Sequence, residues 1–418
     1  MSTRTTAPQP PPTRLPLTFK RGTSVFGISV VGFMTANLVP LMIVALTEGP
    51  QLSVTSAGTL MTVCLLACAI SCLATSRLSA RATRHTVARV GLVLLAVGFG
   101  AAAVIPSTPV IVAGIVIAGF GAGAAVSAGG AALGALQDPD RSAGISGFVN
   151  RATVSILLFM IPALGAGMPS AFGLLALLSA AALAVTSWLP NPPRLEAQRS
   201  DVPTATTAAP VSTRRRSSTW AGLTLLACFA ICGMSEDSLW AVAGTMGADN
   251  AGLSHSQMGF ALGLSTVSGL ISSAAIGVAG KRFGRTGPIV AALALGGIGK
   301  FVATTTTDPT IYMASIIVCN TLYMITFIYI IAITAALDES GRWSGPAHGV
   351  YLIGSSFAPL FGTFISAALG YLGLGIILAV MSFVLIIPIG AISRMSARIE
   401  KENAAVPEQS PAPLATAA

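Results

Sequence analysis

The sequence predicts an all-α membrane protein with twelve transmembrane helices in two pseudo-symmetric six-helix bundles. Three observations predict this. The chain has 418 residues, of which 53% are hydrophobic and only 9% charged, with a mean hydropathy of +0.80. Soluble domains carry about 25% charged residues. The apolar residues fall into runs of roughly 20, the length a helix needs to cross a ~30 Å hydrocarbon core. Finally, Leu52-Ser-Val-Thr-Ser-Ala-Gly58 aligns with Leu253-Ser-His-Ser-Gln-Met-Gly259, 201 residues later (259 − 58). At the same offset Glu48 meets Asp249, Ile70-Ser71 meets Ile271-Ser272, Arg81 meets Arg282 and Arg84 meets Arg285.

In chain order the apolar runs lie at 24–47, 56–76, 87–105, 109–135, 144–166, 170–189, 219–246, 257–279, 288–305, 309–335, 345–368 and 371–393. The first is too long for a signal-peptide core, and no small-residue cleavage site follows it. The expected organisation is a disordered cytoplasmic tail at 1–23, a six-helix half at 24–189, a flexible cytoplasmic linker at 190–218, a second six-helix half at 219–393, and a disordered cytoplasmic tail at 394–418. The linker is rich in Pro, Ala, Thr and Arg and has no hydrophobic period.

Charge supports the topology. Every Lys and Arg except Arg151 and Lys300 falls in a tail or in one alternate set of connectors, among them Arg77, Arg141, Arg199, Lys281 and Arg342. The opposite connectors hold Glu48, Asp249 and Asp308. Basic residues stay on the cytoplasmic side, so both termini are expected in the cytoplasm and the protein in the plasma (inner) membrane. The net charge of +9 therefore reports loops beside lipid and not nucleic-acid binding.

Six cysteines, at 64, 68, 72, 228, 232 and 319, all lie in apolar runs. They read as small packing residues, without a disulfide framework or a metal site. No HExxH, paired His or nucleophile–His–acid pattern occurs. Gly297-Ile-Gly-Lys300 lacks the spacing and the Ser/Thr of a phosphate loop and lies inside a span. The reading excludes an enzyme and calls for no cofactor.

Glu236 and Asp237 are the sharpest signal. They sit side by side within the seventh apolar run. A charge at mid-membrane costs about 2.5–3.5 kcal/mol or more unless it faces protein or water. Adjacent helical residues point about 100° apart, so at most one faces a central cavity squarely. The carboxylates read as a proton or cation site; the competing reading places both, hydrated, near the outer interface. At the repeat offset they align with Thr35 and Ala36, so symmetry does not require them.

The loop after the second run, Ser76-Arg77-Leu78-Ser79-Ala80-Arg81-Ala82-Thr83-Arg84-His85, and its second copy with Gly277, Arg282, Gly284 and Arg285, resemble the Gly-x-Leu-Ala-Asp-Arg-x-Gly-Arg-Arg loop of the major facilitator superfamily. Leu78, Arg81 and Arg84 match in the first copy; Lys281 occupies the acidic position in the second. With the twelve spans and the linker, the resemblance covers about 24–393.

That resemblance implies alternating access between the two halves. It implies a cytoplasmic gate at Arg81, Arg84, Arg282, Gly284 and Arg285, and a cavity lined by the first, fourth, seventh and tenth helices. The polar residues on those helices give the substrate candidates Thr35, Asn37, Ser238, Trp240, Asn320 and Tyr323, with proton coupling at Glu236 or Asp237. Asn37 and Asn320 read equally as interhelical hydrogen-bond donors. Gly119, Gly121, Gly123, Gly129 and Gly130 on the fourth helix read as a packing face.

Arg151 is either snorkelling to the cytoplasmic interface or a cavity cation for an anionic substrate. Lys300, on a helix the resemblance places outside the cavity, is expected to snorkel. The expected function is proton-coupled secondary active transport of a small organic solute by a monomer. An efflux antiporter and an uncoupled facilitator or sensor are the alternatives. The acids favour a cation, or a neutral solute with a proton, whereas Arg151 favours an organic acid.

Overall fold

A computed structural model describes residues 15–79, 81, 83–133, 135–136, 139–165, 167–190, 213–279, 284–337 and 343–405. The first half contains α1 (Phe19–Asn37), α2 (Val39–Glu48), α3 (Val54–Ser79), α4 (Arg84–Val104), α5 (Thr108–Leu133), α6 (Pro139–Ala163) and α7 (Leu174–Ala184), the last entered through a π-helical turn at Pro169–Gly173. The second contains α8 (Thr213–Asp249), α9 (His255–Ala279), α10 (Thr286–Thr305), α11 (Pro309–Leu337) and α12 (Ser344–Ala405).

Among the described residues nine helices are long and apolar enough to cross a membrane. The remaining spans are broken or short. α1 and α2 form one span bent by 55°, with Leu38 at the break and Pro40 in the first turn of α2. Pro169–Ala184 is a short apolar run. α12 is two arms meeting at Gly370, whose φ of +71° lies in the left-handed region that favours glycine. With these, all twelve expected spans are present.

Several ends differ from the expected ones. α1 begins at Phe19, α8 at Thr213, and α12 continues to Ala405. Once a helix is nucleated, propagation adds a hydrogen bond per residue, so helices outrun their apolar cores. Residues 191–212 of the expected linker and the outermost tails, 1–14 and 406–418, lie outside the described residues.

The repeated Leu-Ser motif has a physical role in both copies: it starts a helix. Ser53 Oγ accepts the Ser56 N–H at 3.1 Å before α3. Ser254 and Gln257 form a reciprocal capping box before α9, with bonds of 3.0 and 3.3 Å.

α5 is the packing spine of the first half. A Cβ added at Gly123 would lie 2.0 Å from the Cys68 carbonyl oxygen, and one at Gly119 2.4 Å from that of Cys64. α3 therefore presents its cysteine face to the glycine face of α5, as small-residue packing requires.

The two halves meet at the end opposite the start of α1. Gly58 of α3 abuts the Pro359 carbonyl of α12, and its repeat partner Gly259 of α9 abuts the Leu158 carbonyl and the Pro162 ring of α6. Leu360 N–H, next to Pro359, donates to Thr62 Oγ1 at 2.9 Å; the proline disturbs the helical ladder there, and the hydroxyl from the other half meets the freed group. Gly244 of α8 abuts the Pro40 carbonyl at the bend after α1. At the opposite end a Cβ added at Gly27, Gly130, Gly147 or Gly349 would meet no other element within 4 Å among the described residues.

Overpacking this contact should therefore act on the conformational equilibrium. A Cβ at Gly58 would lie 2.7 Å from the Pro359 carbonyl, so Gly58→Leu should penalise the closed contact by about 1–3 kcal/mol. Spin labels at Gln51 and Ser256 are expected to show a longer distance in this variant. An unchanged distance distribution would show that the contact does not hold these ends together.

Candidate functional site

The two adjacent carboxylates of α8 diverge. Glu236 turns away from the partner half, towards α10 and the second arm of α12. There its Oε1 lies 2.7 Å from Lys300 Nζ, with side-chain exposures of 10% and 1%. Lys300 also donates to Ser235 Oγ at 3.0 Å and to Ser382 Oγ at 2.8 Å. The three bonds satisfy the three ammonium donors. This corrects the expectation that Lys300 snorkels to the interface: its stem is buried, and a carboxylate within reach neutralises it.

Asp237 turns towards the first arm of α12 and towards α11. Its Oδ2 accepts from Tyr351 OH at 2.9 Å and from Ser355 Oγ at 2.5 Å. Tyr323 of α11 is hydrogen-bonded to Tyr351, so the three side chains and the carboxylate form one chain of hydroxyls. Phe327 and Phe229 wall the Tyr351 ring, with centroids 5.2 Å from it on each side. Arg151 reaches this cluster from α6 in the other half. Its Nη2 lies 3.0 Å from Met324 Sδ, next in the chain to Tyr323. Among the described residues no carboxylate lies within 4.0 Å of the guanidinium.

The other residues singled out in the sequence divide by use. Trp240 Nε1 donates to the Asn37 carbonyl at 3.1 Å, tying α8 to the end of α1 across the halves. Thr35 is fully buried, and its hydroxyl has no partner. Ser238 Oγ donates to backbone carbonyls of Met234 and Ala358 at 2.5 and 3.1 Å, a helix-packing role between α8 and α12. Asn320 Nδ2 donates to the Ser265 carbonyl at 2.6 Å and so joins α11 to α9 inside one half.

Of the residues expected at a cytoplasmic gate, Arg81 is exposed. Arg84 is 2% exposed and clamps backbone, donating to the Ser79 carbonyl at 2.8 Å and the Pro190 carbonyl at 2.9 Å. Gly284 has φ +63° in the turn before α10, Arg285 precedes that helix, and Arg282 lies outside the described residues.

Tyr351 and Ser355 went unread in the sequence. Their spacing of four puts both on one face of an otherwise apolar helix, and that was the available signal. Lys300 had one too: a lone base and a lone acid in apolar spans of the same half are natural partners.

At the far end the halves enclose a cavity of about 200 Å³, lined by residues of α2, α6, α8 and α9. Glu48 and His255 form a 2.9 Å pair across it, half exposed at 48% and 47%. Such a pair is worth only about 0–1 kcal/mol. It marks the contact between halves more than it holds it.

The family model described as Major Facilitator Superfamily matches residues 24–337 and again 225–417. The chain belongs to the major facilitator superfamily. Solved structures of similar fold include a peptide transporter of the POT type (TM-score 0.72, 13% identity, 93% of this chain and 98% of that one). A D-xylose–proton symporter (0.66, 15%, 88% and 96%) and a nucleoside transporter (0.66, 13%, 89% and 99%) are also similar. At these identities the likeness shows the fold. No curated protein matches the chain by sequence. As a superfamily member the chain is a multi-pass membrane protein of the secondary transporter class.

Proposed function

We propose that this superfamily member is a proton-coupled secondary transporter of a small organic solute in the plasma membrane, with Asp237 as the group that takes the proton. One observation carries this reading. Asp237 lies within the membrane-spanning part of α8 and is held by neutral hydroxyls of its own half, Tyr351 and Ser355, rather than by a paired cation. Hydroxyls can donate to the carboxylate and accept from the carboxylic acid, so the same three side chains satisfy both protonation states. Glu236 cannot serve equally: protonating it would strand the buried Lys300 charge.

Alternating access supplies the rest. With the termini cytoplasmic, as the basic connectors argue, the contact at Gly58 and Gly259 closes the outer side and the structure is the inward-facing state. The neighbours described as a sugar–proton symporter and as peptide and nucleoside transporters agree with a solute of modest size.

Proteoliposomes test the reading. A solute carried by the protein should accumulate when the lumen is made alkaline relative to the medium. A protonophore should abolish the accumulation. Solute that merely equilibrates, with or without the gradient, would show an uncoupled facilitator.

A further inference from the structure

We infer that the transported solute is a small organic anion, carried with one proton so that every form of the site that crosses the membrane is electrically neutral. This rests on the coupling role proposed for Asp237. Away from helix ends, the described spans hold four charged side chains: Arg151, Glu236, Asp237 and Lys300. Glu236 and Lys300 cancel each other at 2.7 Å. Asp237 and Arg151 remain, from opposite halves and not in contact: Arg151 touches Met324, the chain neighbour of Tyr323, whose hydroxyl leads through Tyr351 to Asp237.

The empty site therefore sums to zero, with Asp237 ionised against Arg151. A proton alone would leave a net positive charge facing the interior. An anion alone would leave a net negative one. Each stranded charge would cost several kcal/mol inside the membrane. For a solute that binds Arg151 as an anion, only a proton on Asp237 restores neutrality, so charge balance couples the two.

The geometry around Arg151 suits a carboxylate. Its guanidinium has five N–H donors in a planar fork, and the contact recorded for it here is a thioether, a weak acceptor. A carboxylate can take two of those donors side by side. Tyr323, Tyr351 and Phe327 form an aromatic wall beside it, suited to the apolar body of a small acid. A cation would instead meet Arg151 directly and leave the site doubly positive after protonation.

The test uses the full chain in proteoliposomes. The probes are hydroxy- and aryl-substituted monocarboxylates, with quaternary ammonium ions and neutral polyols alongside and protein-free vesicles as background. Saturable uptake of a monocarboxylate is expected, driven by an inside-alkaline gradient and unchanged when a potassium ionophore clamps the membrane potential at different values. Arg151→Gln, with melting like the wild type, should raise the apparent KM at least about tenfold, the loss of a charge-assisted bond of about 1.5–3 kcal/mol. Arg151→Lys should recover part of it. The inference is overturned if no monocarboxylate is carried, if uptake follows the potential, or if Arg151→Gln leaves KM unchanged. Proton-driven uptake of a cation would sink the inference and spare Asp237. Carboxylate uptake indifferent to the pH gradient would sink the coupling and spare Arg151.

Discussion

Lys300→Met is expected to destabilise the protein by about 3–5 kcal/mol, the usual consequence of leaving one partner of a buried ion pair alone. Glu236 would keep 10% exposure with its only cation gone, and Ser235 and Ser382 would lose a donor. The loss should appear as a lower melting temperature in detergent. The size depends on the stranded charge more than on the worth of the pair. Adding Glu236→Gln to Lys300→Met should therefore restore most of the stability, because a neutral amide costs far less to bury. If the single variant melts like the wild type, the pair is open to water and its assignment as a fixed internal ion pair fails.

Asp237→Asn should separate movement from coupling. The amide keeps the shape and can still bond to Tyr351 and Ser355, yet it cannot take up a proton. Exchange of solute across the membrane should persist. Accumulation should collapse to equality on the two sides, whereas the wild type gains up to about tenfold per pH unit, the equivalent of 1.36 kcal/mol. Accumulation by Asp237→Asn equal to the wild type would remove Asp237 from the mechanism.

Much of this architecture was legible in the sequence because it depends on period and length. Apolar runs mark spans, and the recurrence of Leu52–Gly58 at Leu253–Gly259 marks an internal repeat. The glycines of α5 and the cysteines of α3 could be read as packing residues because small side chains at a spacing of four suit few other roles on apolar helices. The adjacency of Glu236 and Asp237 announced that at most one could face a central cavity squarely. It did not say which, since that depends on the rotation of α8 against α10 and α12.

What stayed hidden involves partners far apart in sequence. Lys300 looked like a snorkelling base because the resemblance places its helix outside the cavity; its partner sits on another helix of the same half. Tyr351 and Ser355 became meaningful only when α12 was seen lying along α8. Asn320 and Ser238, both plausible substrate contacts by type, spend their donors on backbone carbonyls of neighbouring helices. Polar residues in a membrane interior must be satisfied somewhere, and residue type does not reveal whether protein or solute does it.

The most direct measurement is lumen pH in proteoliposomes, followed with an entrapped dye while a carried solute is added outside, for the wild type and for Asp237→Asn. The account predicts lumen acidification by the wild type and a flat trace from Asp237→Asn, which still exchanges solute when the vesicles are preloaded with it. Acidification of equal size in both would contradict the claim that Asp237 carries the proton.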